Sequence, residues 1–213
     1  MNALFSPDSR FMRTMSRIAD LVLLNLCYLL TCLPAFTIGA ASAALYTVCF
    51  RFGSEEESGV IRSYFRAFRE NLKRGIGLWL IVLLCGTTAL INAWIFYAMP
   101  GGLRFLSVLF AILFVLAVIV FGYAFPLLSQ FDDGVWPTLR NSLILGLGYL
   151  PRSLLITAFN IFPFALMLAD FYLFLQAAFL WTALYFSLAA YVNTFLLKRV
   201  LAPYLTGGDL EEE

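Results

Sequence analysis

Five amides stand deep within long apolar runs of this chain: Asn25, Asn92, Asn160, Gln176 and Asn193, with Thr87 and Thr88 close to Asn92. An amide in such surroundings either hydrogen-bonds across to another helix, contributing about 0.6 to 2 kcal/mol, or lines a polar path for a solute. No Asp, Glu, Lys or Arg lies near the middle of these runs, which weighs against proton or ion coupling through a buried carboxylate. Asp20 and Asp170 fall at the ends of apolar runs, where contact with water explains them.

A second set of residues is cationic. Arg62, Arg66, Arg69 and Lys73 repeat as i, i+4, i+7, i+11 and are followed by Arg74, while Ile61, Tyr64, Phe65, Phe68 and Leu72 repeat as i, i+3, i+4, i+7, i+11. On a helix these spacings give one cationic and one aromatic face. Such a helix is predicted to lie in the headgroup plane, rings toward the acyl chains and charges toward anionic lipid, each charge contributing about 1 kcal/mol. The same face could dock a partner.

A third set surrounds a break. Pro34 interrupts an apolar run, and Thr37 is placed to cap a new helix by accepting an unpaired N–H. Gly39 and Ser42 belong to a run of small residues, 39–44, that lets helix backbones approach closely. In many transporters a discontinuous helix of this kind binds an anionic solute at its exposed N-terminus.

Other chemistry is poorly supplied. The chain has no His, which removes imidazole bases and ligands. Cys27, Cys32, Cys49 and Cys85 lie in apolar runs without C-x-x-C spacing and read as small buried hydrophobes. Gly75-x-Gly77 and Gly146-x-Gly148 lack the third glycine and the lysine of nucleotide loops, and read as flexible or closely packed helix starts. Ser129 and Asp132 have no base beside them. The expectation is no catalytic residue, no metal, no cofactor and no enzyme. A net charge of +1 offers no footprint for nucleic acid.

The elements that carry these residues follow from composition. Hydrophobic residues make up 62% of the 213 and charged residues 13%, against roughly 45–50% and 25% in soluble chains. That excess suffices for five or six spans of about 20 residues. The chain divides into an interfacial arm, 1–17, a broken hairpin, 18–50, and a cytoplasmic loop with an amphipathic helix, 51–74. A helical hairpin, 75–128, turns at Pro100-Gly101-Gly102; a loop and second surface helix, 129–152, lead to another hairpin, 153–197, and an acidic tail, 198–213. Glu55, Glu56 and Glu57 and the tail's Asp209, Glu211, Glu212 and Glu213 read as solvated acidic caps. The A-S-A at 41–43 mimics a signal-peptide cleavage site, but the apolar run continues past it. The predicted architecture is an all-α polytopic membrane helix bundle, a single membrane domain with four clear spans, a broken N-terminal hairpin and interfacial amphipathic helices.

Orientation follows from the basic residues. If the chain turns at Pro34 and crosses back before Arg51, every Lys and Arg except Arg104 falls on one side; the positive-inside rule then makes that side, with both termini, cytoplasmic. Length opposes this arrangement, since residues 18–33 cover only about 24 Å as a helix against about 30 Å of hydrocarbon. A shallow, bent hairpin packed inside the bundle reconciles the two.

The run P-A-F-T-I-G-A-A-S-A-A-L-Y from Pro34 to Tyr46, and Y-F-R-A-F-R-E-N-L-K-R from Tyr64 to Arg74 leading toward Trp79, resemble the YesL family. The resemblance covers nearly the whole chain and is carried mainly by these two motifs. That family consists of small bacterial membrane proteins of uncharacterised function, often encoded near carbohydrate uptake and utilisation systems. The resemblance implies a bacterial plasma membrane and association with a sugar transporter complex, and carries over no catalytic residue. The expected function is an accessory or interaction component linked to carbohydrate uptake or utilisation. The alternative is a small-solute transporter or permease using the broken helix at Pro34.

Overall fold

The computed structural model describes residues 10–52, 59–99 and 101–205. The acidic run 55–57, the tail 206–213 and residues 1–9 of the arm lie outside the described residues. In order come α1 (Arg10–Cys32), a 3-10 turn (Ala35–Thr37), α2 (Ile38–Arg51), α3 (Val60–Ala98), a 3-10 turn (Gly102–Phe105), α4 (Leu106–Gln130), α5 (Val135–Gly148), α6 (Leu150–Ala169), α7 (Phe171–Gln176), α8 (Ala178–Leu180), a π-helical turn (Trp181–Tyr185) and α9 (Phe186–Leu205). Among the described residues, five helical stretches are long and apolar enough to cross a membrane: Thr14–Cys32, Val60–Ala98, Gly102–Gln130, Leu150–Ala169 and Ala178–Leu201. The chain is an all-α polytopic membrane helix bundle.

The first of these stretches corrects the reading of the N-terminal arm. Residues from Arg10 onward do not form a separate interfacial helix but continue into α1, whose 23 residues extend about 34 Å. The length objection to a crossing disappears, since α1 is long enough to cross. The break at Pro34 does turn the chain back. Tyr28 of α1 meets Ser42 of α2, and Arg17 near the start of α1 stacks 4.5 Å over the ring of Phe52 just past α2. The hairpin therefore begins and ends at the same side of the bundle.

Helix α2 has 14 residues, about 21 Å, too short to span alone. It is the bundle's inner core: Gly39 to Cys49 are all buried, packed among α1, α3, α4 and α9. Its small residues permit a crossing that no side chain could enter. A Cβ on Gly39 would collide with the carbonyl oxygen of Gly75, and one on Gly75 would stand 2.6 Å from the Ala40 Cα. Gly75 is thus closely packed, but in mid-helix and not at a helix start; Gly146 likewise lies near the end of α5.

Helix α3 is a second correction. The amphipathic segment is not a separate helix in the headgroup plane; it is continuous with the span over 39 residues, about 58 Å, far beyond the hydrocarbon thickness. No Pro lies within α3, and the helix is unbroken where its surface character changes. The aromatic face is divided. Ile61 and Phe65 are exposed, but Tyr64 is fully buried, with its hydroxyl 2.5 Å from the Thr31 Oγ1. Burial in protein, not lipid, accounts for that ring.

In the second half, α5 and α6 do separate, at Tyr149, and Pro151 takes a first-turn position in α6 where its missing N–H costs nothing. The connection before α5 is only 131–134, since α4 runs to Gln130. Gly101, at φ 97°, occupies the left-handed region that the expected turn requires. The second arm of the hairpin expected over 153–197 is not one helix but α7, α8, the π turn and α9. Asp170 caps α7, its carboxylate accepting the Leu173 N–H at 3.0 Å.

Candidate functional site

The cationic residues of α3 are held on a helix whose other side is anchored by Tyr64, Ala67 and Asn71, all buried. Arg62, Arg66, Arg69 and Lys73 are exposed. Arg74 differs: it is half-buried and forms a 2.9 Å ion pair with Asp132, while its guanidinium also donates to the Asp133 carbonyl at 3.4 Å. Its charge ties α3 to the α4–α5 connection.

The break is satisfied internally. Thr37 does not cap α2. Its hydroxyl instead donates backward, 2.5 Å from the carbonyl of Thr31 and 2.6 Å from that of Pro34, satisfying acceptors left open where α1 ends. The Trp79 indole N–H donates to the Ala35 carbonyl at 2.9 Å. These bonds matter because an unpaired backbone group within a bilayer costs several kcal/mol.

Beside the break lies a chamber of about 250 Å³ whose lining draws on α1, α2, α3, α4, α6, the π turn and α9. Tyr28, Ser42, Tyr46 and Asn160 bring polar atoms to it, and Trp79, Phe121 and Phe125 form an aromatic wall. The Trp79 and Phe121 ring centroids lie 5.6 Å apart, and those of Phe121 and Phe125 lie 5.2 Å apart at 78°, an edge-to-face arrangement. The Tyr28 hydroxyl and Ser42 Oγ are 3.5 Å apart, and the Tyr46 hydroxyl accepts from the Asn193 amide at 3.3 Å. Among the described residues, no charged side chain lines the chamber. It is therefore suited to an uncharged group that can stack on rings and exchange a few hydrogen bonds.

The five predicted amides do not meet there together. Asn160 lines the chamber. Asn193 sits buried behind Tyr46 with its Oδ1 unpartnered. Asn25 is fully buried elsewhere: its amide donates to the carbonyls of Trp181 at 3.1 Å and Thr182 at 2.7 Å, and its Oδ1 accepts the Ser187 N–H at 3.0 Å. Asn92 bonds within its own helix to the Thr88 carbonyl, and Gln176 is exposed at the end of α7. Of the residues at the break, Ser42 lines the chamber, whereas Gly39 and Thr37 shape its frame. Cys27 and Cys49 are buried as expected, Cys32 is half-buried in the chamber wall, and Cys85 is exposed on α3.

The sequence reading missed the chamber's tyrosines. Tyr28, Tyr46 and Tyr185 lie within apolar segments, and a buried phenol needs a partner for its hydroxyl; that was the available signal. Tyr185 finds the Phe159 carbonyl at 2.8 Å.

No curated protein matches the chain, and no solved structure does. The sequence pattern of the family described as "Protein of unknown function, DUF624" matches residues 21–93, the stretch that contains most of the hairpin, the Gly39–Gly75 crossing and the cationic face of α3.

Proposed function

We propose that the chain is a non-enzymatic, multi-span accessory or interaction component linked to carbohydrate uptake or utilisation, in a bacterial plasma membrane with both termini cytoplasmic. The sugar linkage and the location rest on the YesL resemblance of 34–46 and 64–74. The observation that carries the accessory reading is the division of polar groups. Asn25 and Asn193 are spent inside the bundle, Asn92 and Gln176 do not reach the chamber, and Arg62, Arg66, Arg69 and Lys73 stand exposed on α3 beside Ile61 and Phe65. An exposed face that is both cationic and apolar suits anionic headgroups together with an acidic partner surface.

The test is recovery of a sugar permease with the tagged chain from mildly solubilised membranes. Changing Arg62, Arg66, Arg69 and Lys73 together to Gln lowers that recovery several-fold while leaving thermal stability unchanged. Equal recovery with the unmodified and the changed chain contradicts the docking role of this face. A second reading, a small-solute transporter using the break at Pro34, is favoured by the chamber beside that break, to which Ser42 and Asn160 contribute.

A further inference from the structure

A groove of about 400 Å³ runs along the outside of the bundle between α3, α4 and α6. Its floor is apolar, with Val82, Gly86, Ala117 and Val118 contributing, and the glycine and alanine keep it deep: a Cβ placed on Gly86 would meet only the Ala117 Cβ, at 3.8 Å. Each of the three helices is long and apolar enough to cross a membrane, so the groove faces the hydrocarbon, where acyl chains are the solvent.

Trp79, Phe121, Asn160 and Phe164 line both the groove and the chamber, so the two adjoin along these side chains. Polarity changes from one to the other. The groove presents methyl groups and ring edges; on the chamber side stand Ser42, Tyr28 and Tyr46 with their hydroxyls and Asn160 with its amide. The Tyr28–Ser42 contact is long, at 3.5 Å, which leaves both hydroxyls capacity for a further partner. Among the described residues, neither lining contains a charged residue, and a charged headgroup drawn into such a space would be desolvated without compensation.

We propose that groove and chamber form one site for an uncharged, hydroxyl-headed lipid that enters sideways from the bilayer. Its chain lies between α3, α4 and α6, and its head passes Trp79 and Phe121 to reach Ser42, Tyr46 and Asn160. Chemically this is the class of a monoacylglycerol: one chain, free hydroxyls, no charge. The site is independent of the accessory role assigned to the cationic face, which lies elsewhere on α3.

The experiment uses the full chain in phosphatidylcholine and phosphatidylglycerol vesicles, with three probes sharing one photoreactive acyl chain: a monoacylglycerol, the corresponding methyl ester and the lysophosphatidylcholine. Labelling is read by peptide mapping. The monoacylglycerol labels peptides of α3, α4 and α6 about tenfold more than either control, the effect of one or two net hydrogen bonds. Gly86→Phe, which fills the groove, lowers monoacylglycerol labelling of those peptides to the level of the controls. Asn160→Leu, which leaves the groove open, brings the monoacylglycerol down to the methyl ester without lowering the methyl ester itself. Equal labelling by all three probes, preference for the phosphocholine head, or preference unchanged in Asn160→Leu overturns the proposal. If Gly86→Phe fails to fold, Asn160→Leu decides alone. None of these results bears on permease recovery, so the two proposals fail separately.

Discussion

At Pro34 the chain breaks between α1 and α2, and over 177–185 it breaks again before α9, yet the two interruptions are held by opposite means. The first is written in its own residues. Pro34 cannot continue a helix, Thr37 returns its hydroxyl to the carbonyls of Thr31 and Pro34, and most of the repair is complete within seven residues, with Trp79 adding one bond from α3. The second has neither Pro nor Gly between Phe171 and Tyr185. There Asn25, more than 150 positions away, donates to the Trp181 and Thr182 carbonyls of the widened turn and accepts the Ser187 N–H. The Ser187 hydroxyl then donates to the Leu21 carbonyl at 2.7 Å, and the Trp181 indole donates to that of Phe174 at 3.0 Å. A break that carries its own repair is local; one repaired by a distant amide exists only in the assembled bundle.

This contrast can be broken at several points. The largest effect is expected at the crossing that seats the first break. Gly39→Leu forces a side chain into the Gly75 backbone, which cannot yield as a side chain would; loss of the folded bundle, or destabilisation of about 3 kcal/mol or more, should appear in thermal unfolding in detergent. Gly148→Leu, at a position with open space around it, should leave the midpoint nearly unchanged.

Next is the amide that serves the second break. Asn25→Leu removes the partner of two carbonyls and one N–H and should cost about 2 to 6 kcal/mol, at roughly 0.6 to 2 kcal/mol for each lost bond. The specific readout is hydrogen exchange. The Ser187 amide and the π turn should lose protection while the 35–42 segment keeps it. Asn92→Leu removes only an intrahelical bond and should change stability by about 0.5 kcal/mol or less.

Thr37→Val keeps the shape of the side chain and removes its hydroxyl, with an expected loss of about 1 kcal/mol confined to exchange at the end of α1. The smallest effect belongs to Arg74→Gln. Its partner Asp132 is fully exposed, so the change should be near the limit of detection and should vanish as salt is raised.

The same contrast explains what could be read from the sequence. The class of fold follows from the apolar runs, and the hairpin follows from Pro34 with the small residues 39–44, because those signals are local. The amphipathic segment 61–74 misleads for a related reason: periodicity identifies its faces but not whether the helix continues, and Tyr64 and Phe65 are equally aromatic although only one is buried against Thr31 and Ala41. The π turn and the role of Asn25 carry no local signal at all. For the chamber, Ser42 and Asn160 were legible as polar residues in apolar runs. That they should meet Tyr28 and Tyr46 across three helices depends on the crossing at Gly39 and Gly75, whose pairing becomes visible only in three dimensions.

Placing each intramembrane amide also separates the two functional readings, since an accessory protein can spend its amides on helix contacts whereas a transporter must leave them open to solute. The most direct test is uptake by the purified chain alone, reconstituted in liposomes and offered a panel of labelled mono- and disaccharides. The accessory account predicts no uptake above that of empty liposomes, with uptake appearing only when a permease recovered with the chain is included. Saturable uptake by the chain alone, abolished by Asn160→Leu, would contradict it and make the chamber a solute pathway.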